Sequence, residues 1–347
     1  MSKYFILVSL IGVFIIGGIS MAFAKDVLKS NDWDKTFKKD ENVNIKKVTF
    51  KNRYGIELVG DLYTPKDIKK DKKYPVIAIS GPFGAVKEQA SGLYAQALAK
   101  RGFVTLAFDP SYTGESSGEP RSVASADINT EDFSAAVDYL SNLNFVDANK
   151  IGILGICGFG GFALNAAAMD TRIKAVVAST MYDMTRVSAK GYFDSLDADG
   201  RYKLKESLNG QRTLDFKNGT FAKAPGLPDK LKGDEPQFVK DYFGYYKTPR
   251  GFHKRSINSN GNWNLTSTLS LINMPILAYS DEIKSAALLV HGEKAHSRYF
   301  SEDAFKKLKG DNKELFIVEG ANHVDLYDNM EKIPFDKIES FFKTYLK

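Results

Sequence analysis

The chain is 347 residues long and 43% hydrophobic, enough to bury a large core without covalent staples. Its net charge of +6 comes from lysines scattered along the sequence, and no basic block is interleaved with aromatics, which argues against a nucleic-acid surface. A single cysteine, Cys157, rules out an internal disulfide framework.

The first residues read as an export signal. Met1-Ser2-Lys3 is a short basic start, Tyr4 to Ile19 is almost wholly apolar, and Ala22-Phe23-Ala24 has the small-x-small pattern of a cleavage site. The expectation is a signal peptide over 1–24, cleaved after Ala24, with the mature chain in the periplasm or secreted. The alternative is an uncleaved anchor, because the apolar stretch is nearly long enough to span a bilayer. Residues 25–42 read as a polar linker, and 43–347 as the functional domain.

Val48 to Phe50 and Ile56 to Tyr63 then read as two strands joined by a turn around Asn52 to Gly55. Strand Pro75 to Ile79, helix Gln89 to Arg101, strand Val104 to Phe108, helix Thr130 to Leu140 and strand Ile151 to Leu154 follow, the second helix capped by Thr130. Short continuous apolar strands separated by helices imply an α/β fold with a mostly parallel central sheet and helices on both faces. After Ile173 to Ala178 the rhythm stops until strand Ala287 to His291. The intervening stretch, about 185–273, is too long for a plain loop and is expected to be a partly helical lid inserted between strands 6 and 7. Its Tyr242, Phe243, Tyr245, Tyr246 and Trp263 either pack the lid onto the body or touch substrate. Helix Ser301 to Leu308, strand Glu314 to Val318 and helix Ile333 to Tyr345 complete the pattern.

The most informative segment is Gly155-Ile156-Cys157-Gly158-Phe159-Gly160-Gly161, between strand Ile151 to Leu154 and the helical Phe162 to Met169. A nucleophile at the apex of a strand, a tight glycine turn and a helix is the layout of a nucleophile elbow. A thiol without a partner in an exported protein is a liability unless it has a use. The start of the helix is expected to lower the pKa of Cys157.

Four histidines could supply a base. His323, in Gly320-Ala321-Asn322-His323 after the last strand, falls in the order nucleophile, acid, histidine. His291 ends a strand and reads as structural; His296 lies near the mouth, where it and Tyr182 are candidate substrate contacts. His253 falls in the lid. The oxyanion donors are expected to be the backbone N–H groups of Gly158 and Phe83, the latter from the loop Ser80-Gly81-Pro82-Phe83-Gly84, in which Pro82 has no N–H to offer.

Together these motifs resemble the α/β-hydrolase superfamily, and within it the dienelactone hydrolase-like branch with a cysteine nucleophile, over the body from about Val48 to the C-terminus apart from the lid. The chain departs from that pattern twice. Phe159 stands where the elbow's last glycine belongs, and in His291-Gly292-Glu293-Lys294-Ala295 an alanine stands where the resemblance implies the acid. Glu293 is the first substitute, since alternation in an extended segment would put it on the side of position 295; Asp183, after strand 6, is its rival. The resemblance implies hydrolysis of ester, lactone or thioester bonds through an acyl-enzyme on Cys157, with His323 as base. A peptidase or amidase on the same fold, or an impaired hydrolase-like binding protein, are the alternatives. No cofactor is implied, and no metal, since His291 and His296 lack a third ligand in clear spacing.

Overall fold

Eight strands make up one sheet: β1 (Val43–Lys51), β2 (Glu57–Pro65), β3 (Tyr74–Ser80), β4 (Val104–Phe108), β5 (Val146–Ile156), β6 (Ile173–Ser179), β7 (Ala286–Gly292) and β8 (Lys313–Val318). The computed structural model describes residues 33–69 and 71–347, so the expected signal peptide and its cleavage point lie outside the described residues. Strand order is β1-β2-β4-β3-β5-β6-β7-β8. The pairs β1–β2 and β2–β4 are antiparallel, and every pair from β4 to β8 is parallel.

The apolar runs are continuous because the inner strands are covered on both faces. All of β4 and β7 is buried, and so is β3 from Val76 onward. At the edge, β1 mixes buried and exposed positions. The helices are α1 (Ala90–Lys100), α2 (Ala126–Ser141), α3 (Gly158–Met169), α4 (Met184–Lys190), α5 (Ala198–Asn218), α6 (Gln237–Tyr246), α7 (Ile257–Asn260), α8 (Thr268–Ile272), α9 (Arg298–Lys307), α10 (Asp325–Asp328) and α11 (Phe335–Tyr345). The stretch between β6 and β7 is helical, α4 to α8, and sits where the sequence pattern puts the lid.

Two local expectations shift. Helix α2 starts a turn before Thr130: the Ser125 hydroxyl accepts the Ile128 N–H, while Thr130 lies inside the helix and donates to the Ala126 carbonyl at 2.7 Å. Residues 34–42, given to a polar linker by composition, are tied to the body. Thr36 N–H donates to the Glu88 carbonyl at 2.9 Å, and the Gln96 side chain bonds the backbone of Lys38 and Asp40.

Loops from the C-terminal ends of β3, β5, β6, β7 and β8 meet at one edge of the sheet. In an open parallel sheet this is where ligands bind.

Candidate active site

At the end of β5 the chain must turn sharply into α3. Cys157 takes φ 55° and ψ −123°, a conformation that costs a non-glycine residue about 1–3 kcal/mol and is held only by its surroundings. Those surroundings are specific. Cys157 N–H donates to the Ser179 carbonyl, and its own carbonyl accepts from Gly160 and Tyr182 N–H, each at 2.9 Å. Gly155 permits the turn, because a Cβ there would lie 2.0 Å from the Phe159 carbonyl oxygen. Gly81, at φ +102°, lets the loop after β3 pass the elbow, since a Cβ would meet the Ile156 carbonyl oxygen at 2.3 Å. Phe159, the departure from the elbow pattern, is fully buried with its ring 5.2 Å from Phe162 and 6.1 Å from Phe133. The close approach is left to Gly160, which packs on Met181.

The two N–H groups expected to hold an oxyanion, those of Phe83 and Gly158, lie beside the Cys157 sulfur and favour its ionised form. The loop that carries Phe83 is fixed from the helical segment: Asn258 Nδ2 donates to the Phe83 carbonyl at 2.8 Å, and Ser256 Oγ to the Gly84 carbonyl at 2.9 Å. The Trp263 ring stacks on Phe83 at 4.2 Å.

The hydroxyl of Tyr327, which lines the same cavity as Cys157, lies 3.1 Å from His323 Nε2. The Tyr327 phenol is thus a neighbour of both Cys157 and His323. On the far side of the imidazole, His323 Nδ1 lies 2.5 Å from Ser297 Oγ and 3.1 Å from Thr180 Oγ1. Ser297 Oγ is in turn 3.0 Å from His291 Nε2, and His291 Nδ1 is 2.7 Å from Ser301 Oγ. One assignment satisfies the whole chain: each imidazole carries its proton on Nδ1, His323 donates to Ser297, Ser297 to His291, and His291 to Ser301. Both nitrogens of His291 are thus spent on hydroxyls.

Neither expected carboxylate takes part. Glu293 is exposed and accepts the Gly320 N–H at 2.9 Å. The alternation argument fails because strand geometry ends at Gly292: Ala295 N–H turns back to the Gly292 carbonyl and Lys294 N–H goes to Ala321. Asp183 caps α4, where one of its oxygens accepts from the N–H groups of Thr185 and Arg186 and from the Thr185 hydroxyl. The hydroxyl of Ser297 occupies the position the acid was expected to fill.

The electrostatics follow from burial. Desolvation pushes the Cys157 thiol above its ordinary value, against the opposing hydrogen bonds from Tyr327 and the two amides, so the expected lowering by the helix start is outweighed. Burial, then the neighbouring His296 and His291, holds His323 well below the usual imidazole value. Burial raises Tyr327 well above the usual phenol. At neutral pH the chain from sulfur to imidazole is uncharged.

Cys157 opens onto a cavity of about 220 Å³ walled by Phe83, Tyr182, Tyr242, Tyr246, Tyr327 and Asn258, with Met184, Val187 and Leu227 completing it. Of the two expected substrate contacts, Tyr182 lies on this wall. His296 does not: it stacks on Phe238 at 4.7 Å and faces the His323 ring at 5.2 Å, behind the wall. Tyr242 and Tyr246 reach the cavity from the helical segment, whereas Tyr245 packs on Tyr327. His253, also expected there, is buried and accepts the Arg255 N–H. A larger hollow of about 720 Å³ contains Asp183, Arg186 and Lys306 but none of the groups beside the sulfur.

Residues 54–325 match the model of the X-Pro dipeptidyl-peptidase (S15) family. The chain belongs to this family. S15 membership agrees with the fold, that of an α/β-hydrolase, and gives an esterase- or peptidase-like hydrolase; the dienelactone hydrolase-like resemblance reaches the same fold from the elbow. PA2218 of Pseudomonas aeruginosa is 58% identical over 318 residues, 91% of this chain and 85% of that protein. Its crystal structure has a TM-score of 0.88 over 91% of this chain and 98% of that one. The α/β-hydrolase GrgF from Penicillium sp. sh18, at 20% identity, shares the fold with a TM-score of 0.72 over 87% of this chain and 99% of its own. Thiohydrolase aneE of Aspergillus aculeatus is 31% identical over 140 residues, 40% of this chain and 42% of that protein.

Proposed function

We propose that the chain is a cysteine-dependent acyl hydrolase of the kind the dienelactone hydrolase-like resemblance implies, acting on thioesters and activated esters or lactones. The observation that carries this reading is the setting of the sulfur: the Phe83 and Gly158 amides and the Tyr327 hydroxyl lie beside it, and that hydroxyl also meets His323. In the acylation step the Cys157 proton passes to the Tyr327 oxygen as the Tyr327 proton passes to His323 Nε2. The sulfur bonds to the acyl carbon, and the carbonyl electron pair moves to an oxygen held by the Phe83 and Gly158 amides. Collapse expels the leaving thiolate or alkoxide, which takes the proton back through the same path. Water, losing its proton along that path, then releases the carboxylic acid and restores the thiol.

The leaving group is the discriminating point. Among the described residues no carboxylate bonds His323, so none of them stabilises the imidazolium that would have to protonate an amide nitrogen. A thiolate leaves without that help. The cavity also disfavours an X-Pro dipeptide, whose free amino terminus is cationic, because no charged residue lines it among the described residues. That a relative bears the name thiohydrolase supports the same choice. Export through the leader over 1–24 belongs to this proposal and predicts a mature N-terminus at Lys25, readable by intact-mass measurement.

Hydrolysis of a short acyl thioester by the purified protein, followed by thiol release, tests the reading. Cys157→Ala is expected to lower kcat at least about 10⁴-fold, of the order seen when a nucleophile is removed. Undiminished turnover by that variant, or faster cleavage of an X-Pro anilide than of any thioester, would sink it.

A further inference from the structure

The rings of Phe83, Tyr182, Tyr242, Tyr246 and Tyr327 border the cavity beside Cys157, and they fall into two sets. Phe83 makes its ring contacts with Trp263 at 4.2 Å, Phe162 at 6.3 Å and Phe159 at 6.5 Å. The tyrosines keep to their own set: Tyr242 meets Tyr246 at 6.4 Å, Tyr246 meets Tyr327 at 6.2 Å, and Tyr182 and Tyr242 face the His323 ring at 6.2 and 5.4 Å. Among the described residues no ring contact joins Phe83 to any of the four tyrosines, although all five border the same space. A ring placed in that space would touch both sets.

The wall is rigid and offers rings more than hydroxyls. Phe83 is backed by Trp263, Tyr182 by Phe300 at 4.6 Å and Tyr327 by Tyr245 at 5.1 Å, so little side-chain freedom is lost when a ligand packs against them. The Tyr242 hydroxyl lies 3.4 Å from His296 Nε2, behind the wall, and the Tyr246 hydroxyl is buried. Tyr182 is also fixed relative to the nucleophile, because its N–H donates to the Cys157 carbonyl at 2.9 Å.

Size and charge narrow the ligand. A dry cavity of about 150 Å³ holds benzene. At about 220 Å³ this one has room for a six-membered ring and the short link to a reacting carbonyl. No charged residue lines it among the described residues, so an ionised substituent on the ring would be buried uncompensated. Buried area alone would favour an aliphatic ring as much as an aromatic one. Contacts between aromatic rings add roughly two- to twelve-fold in binding beyond area.

We propose that the cavity selects substrates carrying an uncharged six-membered aromatic ring, received between Phe83 and the tyrosines, with the Tyr182 ring as a determinant of that selection. This rests on the acyl-hydrolase reading above and deepens it. The ring enters on the acyl group or on the leaving group, and the test separates the two.

The test compares kcat/KM within two matched pairs: the N-acetylcysteamine thioesters of phenylacetic and cyclohexylacetic acids, and the acetyl thioesters of benzyl and cyclohexylmethyl thiol. Each value is divided by the rate of hydroxide hydrolysis of the same compound, which removes the inductive effect of the ring. The wild type should prefer the aromatic member at least about three-fold in one pair or both, and the pair that responds identifies the half of the substrate that brings the ring. Tyr182→Leu should lower that preference at least about two-fold, whereas Tyr182→Phe, which keeps the ring, should lower it by less. Thermal midpoints check that both variants fold, and the wild-type comparison decides without them. A wild-type preference below about three-fold in both pairs, a loss in Tyr182→Leu below about two-fold, or an equal loss in the two variants overturns the inference while leaving the thioesterase reading intact. Turnover of none of the four compounds by the wild type, or full turnover by Cys157→Ala, overturns the reading and the inference with it.

Discussion

One loop joins two polar clusters of opposite character. At its near end Phe83 lies beside Cys157 in a site whose titrating groups are neutral; four residues on, Lys87 is wholly buried against Glu88, Asp109 and Glu115. Burial alone would push the Lys87 ammonium down, but the carboxylates of Asp109, Glu88, Asp61 and Glu115 hold it above the ordinary lysine value. Glu115 is pulled down to about 2, against the effect of burial, by the Lys87 charge and by the hydrogen bonds from Lys47 and Lys87. Arg255 extends the cluster, pairing with Glu88 at 2.7 Å and Asp34 at 2.8 Å, so the helical segment and the residues before β1 are both fastened to the loop. Charge is used where the backbone must be fixed and is kept away from the thiol. A charged latch gives directional, geometry-specific contacts that locate the Phe83 amide; a charge beside the sulfur would commit one protonation state before substrate arrives.

The sharpest way to break this contrast is to remove the latch's cation. Lys87→Met leaves Asp109, which accepts the Lys87 N–H at 2.7 Å and the Glu115 N–H at 2.9 Å, as an uncompensated buried carboxylate. The expected loss of stability is about 3–5 kcal/mol, read from urea unfolding. A loss below about 1 kcal/mol would mean that the cluster does not hold the loop.

The next largest effect lies at the neutral end. Tyr327→Phe keeps the ring and deletes the hydroxyl beside the sulfur and His323 Nε2. If the proton travels through that hydroxyl, kcat falls about 10²-fold, the low end of general acid–base contributions, with a smaller change in KM. A fall of less than about three-fold would show that the imidazole reaches the sulfur without it.

What the residues disclose about themselves divides along the same line. Strands such as Val76–Ser80 are legible because a strand buried on both faces must be apolar at every position. The elbow is legible because backbone crowding at Gly155 admits no side chain, a constraint written in residue type. His323 is found by its place after β8. Its partners are not, because serine, threonine and tyrosine occur everywhere, and Ser297 acquires meaning only when the loops after β7 and β8 come together. Tyr327 did leave a trace, four residues beyond His323, but the turn that carries it, α10, is a single one with no periodicity to read. The thiol's raised pKa was likewise hidden: a helix start is visible in sequence, whereas the burial of Cys157 is a property of the packed fold.

Smaller effects sharpen the account of the neutral site. Ser297→Ala removes the 2.5 Å partner of His323 Nδ1 but leaves Thr180 Oγ1 at 3.1 Å to orient the ring, so kcat should fall only about five-fold, within the range of one neutral hydrogen bond. A loss as large as that of Tyr327→Phe would make Ser297 the equal of a missing acid.

The smallest expected effect is the response of turnover to pH, and its sign follows from the two shifts. His323 is depressed well below the usual imidazole value, so falling pH does not protonate the base as it passes 6.5; Cys157 is raised, so rising pH does not ionise the thiol until beyond the ordinary thiol value. Between those limits the resting pair keeps one net protonation state, thiol plus neutral imidazole, and the proton moves only during the reaction. The value of kcat/KM should therefore change less than about two-fold between pH 6 and 8.5, since such profiles report the ionisations of the free enzyme. An acid limb with a midpoint near 6.5 would require an imidazole with its ordinary affinity for protons. That would be incompatible with a site kept neutral by burial and would return the search to a carboxylate partner.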